Sequence, residues 1–441
     1  MSQPQPVPTD FADRVAAETL ARAAAAVPVA SVHSGAEAAL LDRLDADVER
    51  SAPALVALSQ DLFSHPEVAF EEHRSAEAVA AVLEARGIAV ERGVGGLATA
   101  LRAEVGSGGP TIGLMSEYDA LPEIGHGCGH NVIAAAGVGA FLALAALGDD
   151  LPGRVVWLGT PAEEGGAGKE ILARAGVLDD LDAALMVHPF GYDVADHVFL
   201  GRRLASVHFH GLTSHASAQP YMGRNALDAV SLAYQGVGLF RQQMPSSDRI
   251  HSVVVDGGQR PNVIPDHGEL LFYVRSKYPE TLRTLSARLD AIAQGAALMT
   301  GCGVEVVWDE LPATLPIRAN AALAARWTGH QAARGRTVLP PGVVPDLLAA
   351  STDFGNVSFR VPALHPMIAV SPPSTSLHTR EFADAAVSPA GDRAVLDAAS
   401  GLARTALDYL ADEPLRSAVH DEFEASGGAV DVPAYFAEVA P

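Results

Sequence analysis

The chain has 441 residues, of which 49% are hydrophobic and 19% are charged, and its formal net charge at pH 7 is −23. This length predicts more than one domain, and the composition is typical of a globular protein. The negative charge excludes nucleic acid and anionic membranes as main partners, because both repel an acidic surface. The two cysteines, Cys128 and Cys302, and the absence of a basic-then-apolar leader at residues 1–9 favour a cytoplasmic location.

Helices and strands alternate in the first part of the chain. Residues 1–35 are predicted to form a peripheral arm with a helix at 11–26, and apolar spacing predicts amphipathic helices at 40–63 and 75–86. Strands follow at 97–104, 111–116, 154–159 and 183–187, with helices at 132–147 and 169–175. The apolar helix at 132–147 is short for a membrane span and is predicted to be buried. This alternation predicts an α/β domain with a mixed sheet.

The pattern changes near residue 199. The order strand, helix, strand, strand, helix, strand over 199–315 is that of a ferredoxin-like α+β domain. Residues 36–198 and 316–441 are therefore predicted to form one α/β domain into which the domain 199–315 is inserted. The returning part is predicted to contain helices at 321–333 and 388–410 and a strand at 363–370.

Titratable side chains follow the ends of several predicted strands. They are Glu117 and Asp119 after 111–116, Glu163 and Glu164 after 154–159, His188 after 183–187 and His378 after 363–370. Ligands in open α/β sheets bind beyond the carboxyl ends of strands, so these groups are expected at one edge. Each histidine alone is more often a core or surface residue than a ligand, and only the joint placement favours a site.

The run from His126 to His130 holds a thiol and two imidazoles with glycines between them. Thiolate and imidazole are ligands suited to zinc, and short side chains joined by glycines can converge on one ion. Cys128 could equally be a small buried apolar residue in a turn that caps the next helix. A Cys-x-His run is weak evidence by itself and gains weight from Asp119 and the glutamate pair.

Glu163 and Glu164 precede a glycine-rich turn. Two such carboxylates are usually a solvated acidic turn, but the apolar strand before them favours a site. Adjacent residues of an extended chain point in opposite directions, so one can bind a metal while the other faces the substrate. The chain has no Gly-x-Ser-x-Gly elbow, and its glycines match neither a phosphate-binding loop nor a dinucleotide fingerprint. Lysine occurs only at Lys169 and Lys277, which we interpret as composition bias rather than function.

Together these motifs resemble the di-metal metallopeptidases that include carboxypeptidase G, aminoacylase and the amidohydrolases of auxin conjugates and p-aminobenzoyl-glutamate. The run SEYDALPEIGHGCGHN, residues 116–131, is most similar to the branch of dipeptidases and amidohydrolases, and the similarity spans about residues 50–410. The resemblance implies hydrolysis of an amide bond in a small dipeptide-like or N-acyl amino acid substrate. It also implies two divalent ions, zinc or alternatively manganese, cobalt or nickel, and a homodimer formed through the inserted domain as a lid.

The resemblance also implies roles for individual residues. Cys128 would bridge two metals as a thiolate, and the other ligands would be His130, Glu164, His188 and His378. Glu163 would be the general base, and Asp119 would orient a ligand. In the inserted domain, His215 would reach the active site, and in relatives this is the active site of the partner subunit. Asn262 and Arg275 would contact the substrate or its carboxylate.

Two positions depart from the family pattern. Glu117 stands where relatives with a His-x-Asp motif have a ligand histidine, and Asn131 stands where nearer relatives have aspartate. Alternative functions are an aryl-amide hydrolase of the p-aminobenzoyl-glutamate type and a non-catalytic metal-binding protein of the same fold. A pure binding site needs no second glutamate, which argues against the latter, and a redox role for Cys128 lacks a nearby resolving cysteine.

Overall fold

The computed structural model describes residues 7–437 and divides them into two compact units. The first unit comprises residues 7–197, 318–349 and 357–429, and the second comprises 198–317, 350–356 and 430–437. Positions 1–6 of the predicted N-terminal arm and positions 438–441 of the predicted first domain lie outside the described residues. The segments 350–356 and 430–437, which the sequence pattern assigned to the α/β domain, belong to the second unit.

Helices and strands alternate through most of the described chain. The strands are β1 (Glu91–Arg92), β2 (Leu101–Gly106), β3 (Thr111–Ser116), β4 (Arg154–Gly159), β5 (Ala183–Leu185), β6 (His188–Phe190), β7 (Gly201–His210), β8 (Arg249–Asp256), β9 (His267–Ser276), β10 (Gly303–Trp308), β11 (Ala363–Leu364) and β12 (Met367–Ala369). The helices are α1 (Asp10–Ala25), α2 (Ala38–Ser64), α3 (His73–Glu84), α4 (His130–Ala145), α5 (Gly168–Arg174), α6 (Ala226–Phe240), α7 (Pro279–Thr300), α8 (Ala321–Ala333), α9 (Phe354–Ser358), α10 (Arg380–Ala386), α11 (Pro389–Ala411), α12 (Glu413–Ala425) and α13 (Val432–Ala437).

The first unit is built on a six-stranded mixed sheet with the order β1-β2-β4-β3-β5-β11. Strand β3 runs parallel to β4 and β5, and β5 runs parallel to β11, whereas β2 is antiparallel to both β1 and β4. The α/β fold with a mixed sheet that the alternation predicted is therefore confirmed. Strands β6 and β12 form a separate parallel pair in which His188 lies opposite Met367.

The sequence pattern predicted single strands at 183–187 and 363–370, and both predictions are wrong. The chain leaves the six-stranded sheet after Leu185 and after Leu364, and it pairs again only at His188 and Met367. Pro366 lies between β11 and β12 and has no amide hydrogen to donate to a continuous ladder. Its carbonyl accepts the backbone N–H of His188 at 2.9 Å. His188 thus begins a short strand of its own rather than ending a strand of the main sheet.

Helix α4 lies in the core of the first unit. It is buried from His130 to Leu144 and packs against α2, α11 and β3. A Cβ atom at Gly137 would lie 2.1 Å from Ser116 Oγ, so α4 can approach the end of β3 only because this position is glycine. The close contact sets the start of α4 beside the end of β3. No described helix contains an apolar stretch long enough to cross a lipid bilayer.

The second unit contains β7, α6, β8, β9, α7 and β10 in that chain order. Its strands form an antiparallel sheet with the order β10-β7-β9-β8, which is the ferredoxin-like arrangement that the sequence predicted. Every second residue of β9 is buried, and helices α6 and α7 pack on the sheet. The intervening residues of β9 therefore point to the opposite face.

Candidate metal centre

Several loops of the first unit bring the predicted site residues together. Glu117 and Asp119 directly follow β3, and Glu163 and Glu164 lie in the loop between β4 and α5. The backbone N–H of Thr160 donates to the carbonyl of Ser116 at 2.7 Å, which keeps the ends of β3 and β4 side by side. Cys128 immediately precedes the turn into α4, whose first residue is His130, and His188 begins β6.

The turn between Cys128 and His130 requires glycine. Gly129 has a φ of +79°, in the left-handed region that favours glycine. A Cβ atom there would lie 2.9 Å from Cγ of Pro189, so a side chain would also collide with the segment that carries His188. This one residue therefore sets the directions of Cys128 and His130 and permits the close approach of the His188 segment.

Two overlapping sets of donor atoms share Cys128. The first donor set is Cys128, His130 and His188, and the second donor set is Cys128, Glu164 and His378. Within each set the possible ligand atoms all lie within 4.8 Å of one another. Thiolate, imidazole and carboxylate are the ligand types that zinc and similar divalent ions take. The residues present therefore fit two ions that share the sulfur of Cys128.

Hydrogen bonds at Nδ1 fix the rings of both buried histidines and leave Nε2 as the nitrogen that could bind a metal. His188 Nδ1 donates to the carbonyl of Pro189 at 2.7 Å, and its Nε2 lies 3.5 Å from Cys128 Sγ. His130 Nδ1 donates to Asp119 Oδ1 at 3.1 Å, and its buried Nε2 lies 3.3 Å from Glu117 Oε1 but forms no hydrogen bond with any described residue. In metal-bound histidines, one ring nitrogen typically donates a hydrogen bond to an acceptor while the other nitrogen binds the ion.

Asp119 connects the two donor sets. While its Oδ1 accepts from His130, its Oδ2 accepts the backbone N–H of Glu164 at 2.8 Å. The carboxylate is buried and therefore well placed to fix both segments. The structure thus gives Asp119 an orienting position rather than a place in either donor set that contains Cys128.

His378 completes the second donor set from a strained position. Its φ is +61°, which costs a residue with a Cβ atom about 1–3 kcal/mol when the surroundings enforce it. Its N–H donates to the carbonyl of Gly127 at 2.9 Å, and its Nε2 lies 3.2 Å from Glu164 Oε1. The hydrogen bond to Gly127 ties this loop to the Cys128 turn.

The protonation of the ligand candidates depends on burial and on nearby carboxylates. Burial lowers the pKa of His188 to about 4, so its imidazole is neutral at pH 7. Burial and the charge of Glu164 raise the pKa of the Cys128 thiol. Burial works against a charged His130, but Glu117 and Asp119 hold the pKa of His130 well above its usual range. A metal ion held by Cys128 and His130 would therefore displace a proton from each, since only the deprotonated forms of these side chains bind metal.

Glu117, at one of the positions that depart from the family pattern, forms a buried ion pair. Lys169 Nζ donates to Glu117 Oε2 at 2.5 Å, and both side chains are fully buried. Burial opposes the ionisation of Glu117, but Lys169 and then His130 lower the pKa of its carboxyl. Glu117 Oε1 lies 3.3 Å from His130 Nε2. The sequence interpretation of Lys169 as composition bias missed this contact, and the rarity of lysine was the available signal.

Glu163 occupies a different position from Glu164. Its carboxylate forms a third cluster with Glu117 and His130, again with all donor atoms within 4.8 Å, but it belongs to neither set that contains Cys128. Asn131, the other departure, donates through Nδ2 to Ser59 Oγ at 2.9 Å. It therefore anchors α4 to α2. The buried His126 belongs to no donor set among the described residues.

The remaining predicted site residues lie in the second unit. His215 and Asn262 are exposed on neighbouring loops, where the N–H of Ala216 donates to the carbonyl of Asn262 at 3.1 Å. Arg275 on β9 lies directly opposite Arg202 on β7, a residue that the sequence analysis missed.

Arg202 and Arg275 share one aromatic ring. Each guanidinium carbon lies 5.1 Å from the centre of the Tyr273 ring. Burial and the charge of Arg202 lower the pKa of Arg275. Within residues 7–437 no carboxylate pairs with either arginine, Arg202 Nη1 donates to Tyr273 Oη at 3.5 Å, and Arg202 Nε is buried without a hydrogen-bond partner. The pair therefore offers donors to an anion such as a carboxylate.

A Cys128→Ser substitution is expected to lower metal affinity by at least about tenfold, since even outer partners of a metal site are worth about 10–100-fold. Serine is close to cysteine in size but does not supply a thiolate to the two donor sets. Metal content after dialysis against a metal buffer measures the effect, with Cys302→Ser, outside the donor sets, as the control. Full metal occupancy in Cys128→Ser would leave Cys128 as a small buried apolar residue.

Comparison with known proteins identifies related sequences over most of the chain. Residues 113–401 match the model of peptidase family M20/M25/M40. The chain is 37% identical over 406 residues to the Xaa-Arg dipeptidase of Mus musculus, and the match covers 89% of this chain and 94% of the relative. It is 31% identical over 460 residues to one of the subunits of the p-aminobenzoyl-glutamate hydrolase of Escherichia coli strain K12. This match covers 87% of this chain and 94% of the relative.

Solved structures share the fold at lower sequence identity. The aminobenzoyl-glutamate utilization protein from Klebsiella pneumoniae has a TM-score of 0.62 and 22% identity, over 82% of this chain and 98% of its own. The YXEP protein of Bacillus subtilis, a dinuclear metal-binding peptidase, has a TM-score of 0.59 and 20% identity. The match covers 80% of this chain and 98% of that protein.

Proposed function

The chain belongs to peptidase family M20/M25/M40, and from this membership we propose that it is a two-metal dipeptidase that cleaves a small dipeptide-like substrate. The observation that carries this proposal is the pair of donor sets that share Cys128. The 37% identity to the Xaa-Arg dipeptidase of Mus musculus over 89% of this chain favours a dipeptide that ends in arginine.

We assign the metal ligands by donor set. Cys128 would be shared by the two ions, His130 and His188 would complete the first set, and Glu164 and His378 would complete the second. We propose zinc for both ions because thiolate and imidazole suit it, with manganese, cobalt and nickel as alternatives. Asp119 acts as the positioning residue, since its two oxygens hold His130 and the backbone of Glu164.

When bound, the two ions polarise a water molecule and the scissile carbonyl. Glu163 is the general base that accepts a proton from the attacking water and then donates it to the leaving amine. Its place near His130 but outside both sets that contain Cys128 supports this role. The notion of a non-catalytic metal-binding protein is less favoured, since two ions held by the sets that share Cys128 do not need Glu163 as a ligand.

We propose that Arg275, together with Arg202, binds the substrate carboxylate and that Asn262 contacts the substrate. Support comes from the two arginines, which lie opposite each other on β7 and β9 and pair with no carboxylate among the described residues. A free carboxylate can accept paired hydrogen bonds from such groups. The preference for a dipeptide-like substrate with a free carboxylate thus has a physical basis in an otherwise acidic chain.

The proposal is tested by amine release from a panel of amides with the zinc-loaded protein. Dipeptides ending in arginine are expected to be cleaved, and their C-terminal methyl esters to react at least about tenfold more slowly, since hydrogen bonds to charged groups are worth about 1.5–3 kcal/mol. An aryl-amide hydrolase is the second candidate, favoured by the 31% identity to the Escherichia coli hydrolase, and would prefer p-aminobenzoyl-glutamate. Metal-loaded protein that releases no amine from any panel member would contradict both.

We further propose a homodimer in which the second unit is the lid and dimerisation domain. Large apolar side chains are exposed on this unit, including Leu239, Val253 and Val255, and β8 is an edge strand. Exposed apolar surface of this kind is typical of an interface. In this dimer His215 of one subunit would reach the active site of the other and donate a hydrogen bond to the oxyanion that develops on the scissile carbonyl.

Mixing two inactive variants tests the shared site. Subunits with His215→Ala and subunits with Glu163→Gln are each expected to be nearly inactive. After mixing at equal amounts and exchange, about a quarter of wild-type activity should return, because half of the dimers are mixed and each has one intact site. A fully active monomer, or exchange without recovery, would contradict the proposed dimer.

A further inference from the structure

Histidines and carboxylates lie together on one face of the sheet of the second unit. They are His208 and His210 on β7, Asp256 on β8, His267 and Glu269 on β9, and Glu305 on β10. On β7 and β9 they alternate with buried residues such as Val207 and Phe272, so they point away from the packed face. This cluster takes no part in the proposed reaction.

Three members of the cluster are arranged as metal ligands. The possible ligand atoms of His208, His267 and Glu269 all lie within 4.8 Å of one another. His208 lies opposite Glu269 across the strands, and His210 lies opposite His267. The ring centres of His208 and His267 are 5.9 Å apart, and those of His210 and His267 are 6.0 Å apart. The three donors are therefore close enough together to be candidates for binding one ion.

A hydrogen bond to a carboxylate orients the central histidine. His267 Nδ1 donates to Asp256 Oδ2 at 2.9 Å, which leaves Nε2 as the lone-pair nitrogen. Asp256 Oδ1 in turn accepts the backbone N–H of Gly258 at 2.9 Å. A carboxylate behind the non-ligating nitrogen is typical of metal-bound histidines, where it fixes the ring and makes it a better ligand.

We propose that the second unit holds a further divalent-ion site, separate from the two-metal centre, with His208, His267 and Glu269 as ligands. Two imidazoles and one carboxylate suit zinc, cobalt or nickel better than magnesium or calcium, which prefer oxygen ligands alone. The donors lie on adjacent strands of a sheet, which holds them more rigidly than loops do. The side chains of His208 and Glu269 are only 25% and 23% exposed, so both are already partly shielded from water.

The bound ion would cross-link β7 to β9. Its presence is therefore visible in the exchange of backbone amides as well as in metal content. With zinc, the amides of β7 and β9 are expected to exchange more slowly than in the metal-free protein, and this effect does not depend on catalysis.

The test measures zinc binding to the full chain by equilibrium dialysis, together with amide exchange. The His208→Gln/His267→Gln variant is expected to bind one zinc ion fewer per chain than the wild type and to lose the zinc-dependent protection of β7 and β9. The control is His251→Gln on β8, which replaces an exposed histidine outside the cluster and should behave as the wild type. Glu269→Gln should weaken the same site at least about tenfold.

Equal zinc content in the wild type and the double variant, or zinc protection absent from β7 and β9 in the wild type, would overturn the inference. If the double variant does not fold, zinc content and amide exchange of the single Glu269→Gln variant test the inference instead. The outcome is distinguishable from that of the proposed function. Zinc that protects β7 and β9 supports this site even if Cys128→Ser shows that the two-metal centre is wrong.

Discussion

Replacing Glu163 with glutamine is expected to lower kcat by about 10²–10⁴-fold while the metal content stays that of the wild type. Glutamine keeps the size of the side chain but cannot accept the proton of the attacking water. Metal is retained because Glu163 belongs to neither donor set that contains Cys128. Steady-state kinetics and metal analysis of the same preparation measure the two quantities.

The neighbouring residue provides the matched control. Glu164→Gln makes the same chemical change one position away, but it removes a member of the second donor set. It is therefore expected to lose metal as well as activity, and added zinc should restore part of the activity. If the Glu163→Gln enzyme hydrolyses its substrate at nearly the wild-type rate, Glu163 is not the general base.

A Lys169→Met substitution is expected to lower the free energy of unfolding by about 3–5 kcal/mol. Lys169 Nζ is the donor to Glu117 Oε2, and both side chains are fully buried. Without the ammonium group, Glu117 loses the largest of the charges that stabilise its ionised form and keeps only the weaker influence of the nearby histidines, or it takes up a proton. Urea unfolding of the metal-free protein measures the loss without any contribution from bound ions.

Removing both charges should largely reverse that loss. The Lys169→Met/Glu117→Met variant is expected to unfold near the wild-type midpoint, since apolar replacement of a buried ion pair is often neutral. The control is Lys277→Met, because Lys277 Nζ lies 5.0 Å from the ring centre of Tyr278, a contact worth about 0.5–1 kcal/mol when exposed. A Lys169→Met protein with the wild-type midpoint would show that the buried pair contributes nothing.

Local patterns in the sequence were enough to predict most elements and the loops that carry the donor sets. Strands β3 and β4 have the predicted bounds, and α4 begins close to the predicted start. These features depend on side-chain periodicity and on glycine, both of which act over a few residues. Cys128 and His130 could be named for the same reason, because one glycine turn joins them.

The division of two predicted strands could not be foreseen from the sequence, because it depends on contacts between distant segments. The apolar run 363–370 reads as one strand, but Pro366 and the pairing of Met367 with His188 split it. Helix α12 and the assignment of 350–356 to the second unit were likewise not predicted. Their positions depend on neighbours that are distant in the sequence.

The sequence by itself determined the family, the mixed α/β sheet with its ferredoxin-like partner, and the residue types available for a metal centre, because these follow from local periodicity and short motifs. Only the tertiary structure decided which groups share an environment. It pairs Lys169 with Glu117 across 52 positions, sets Arg202 opposite Arg275, and gathers His208 and His267 on one sheet face. Such pairings are fixed by strand register and loop packing, and these depend on contacts between distant segments rather than on any local run of residues.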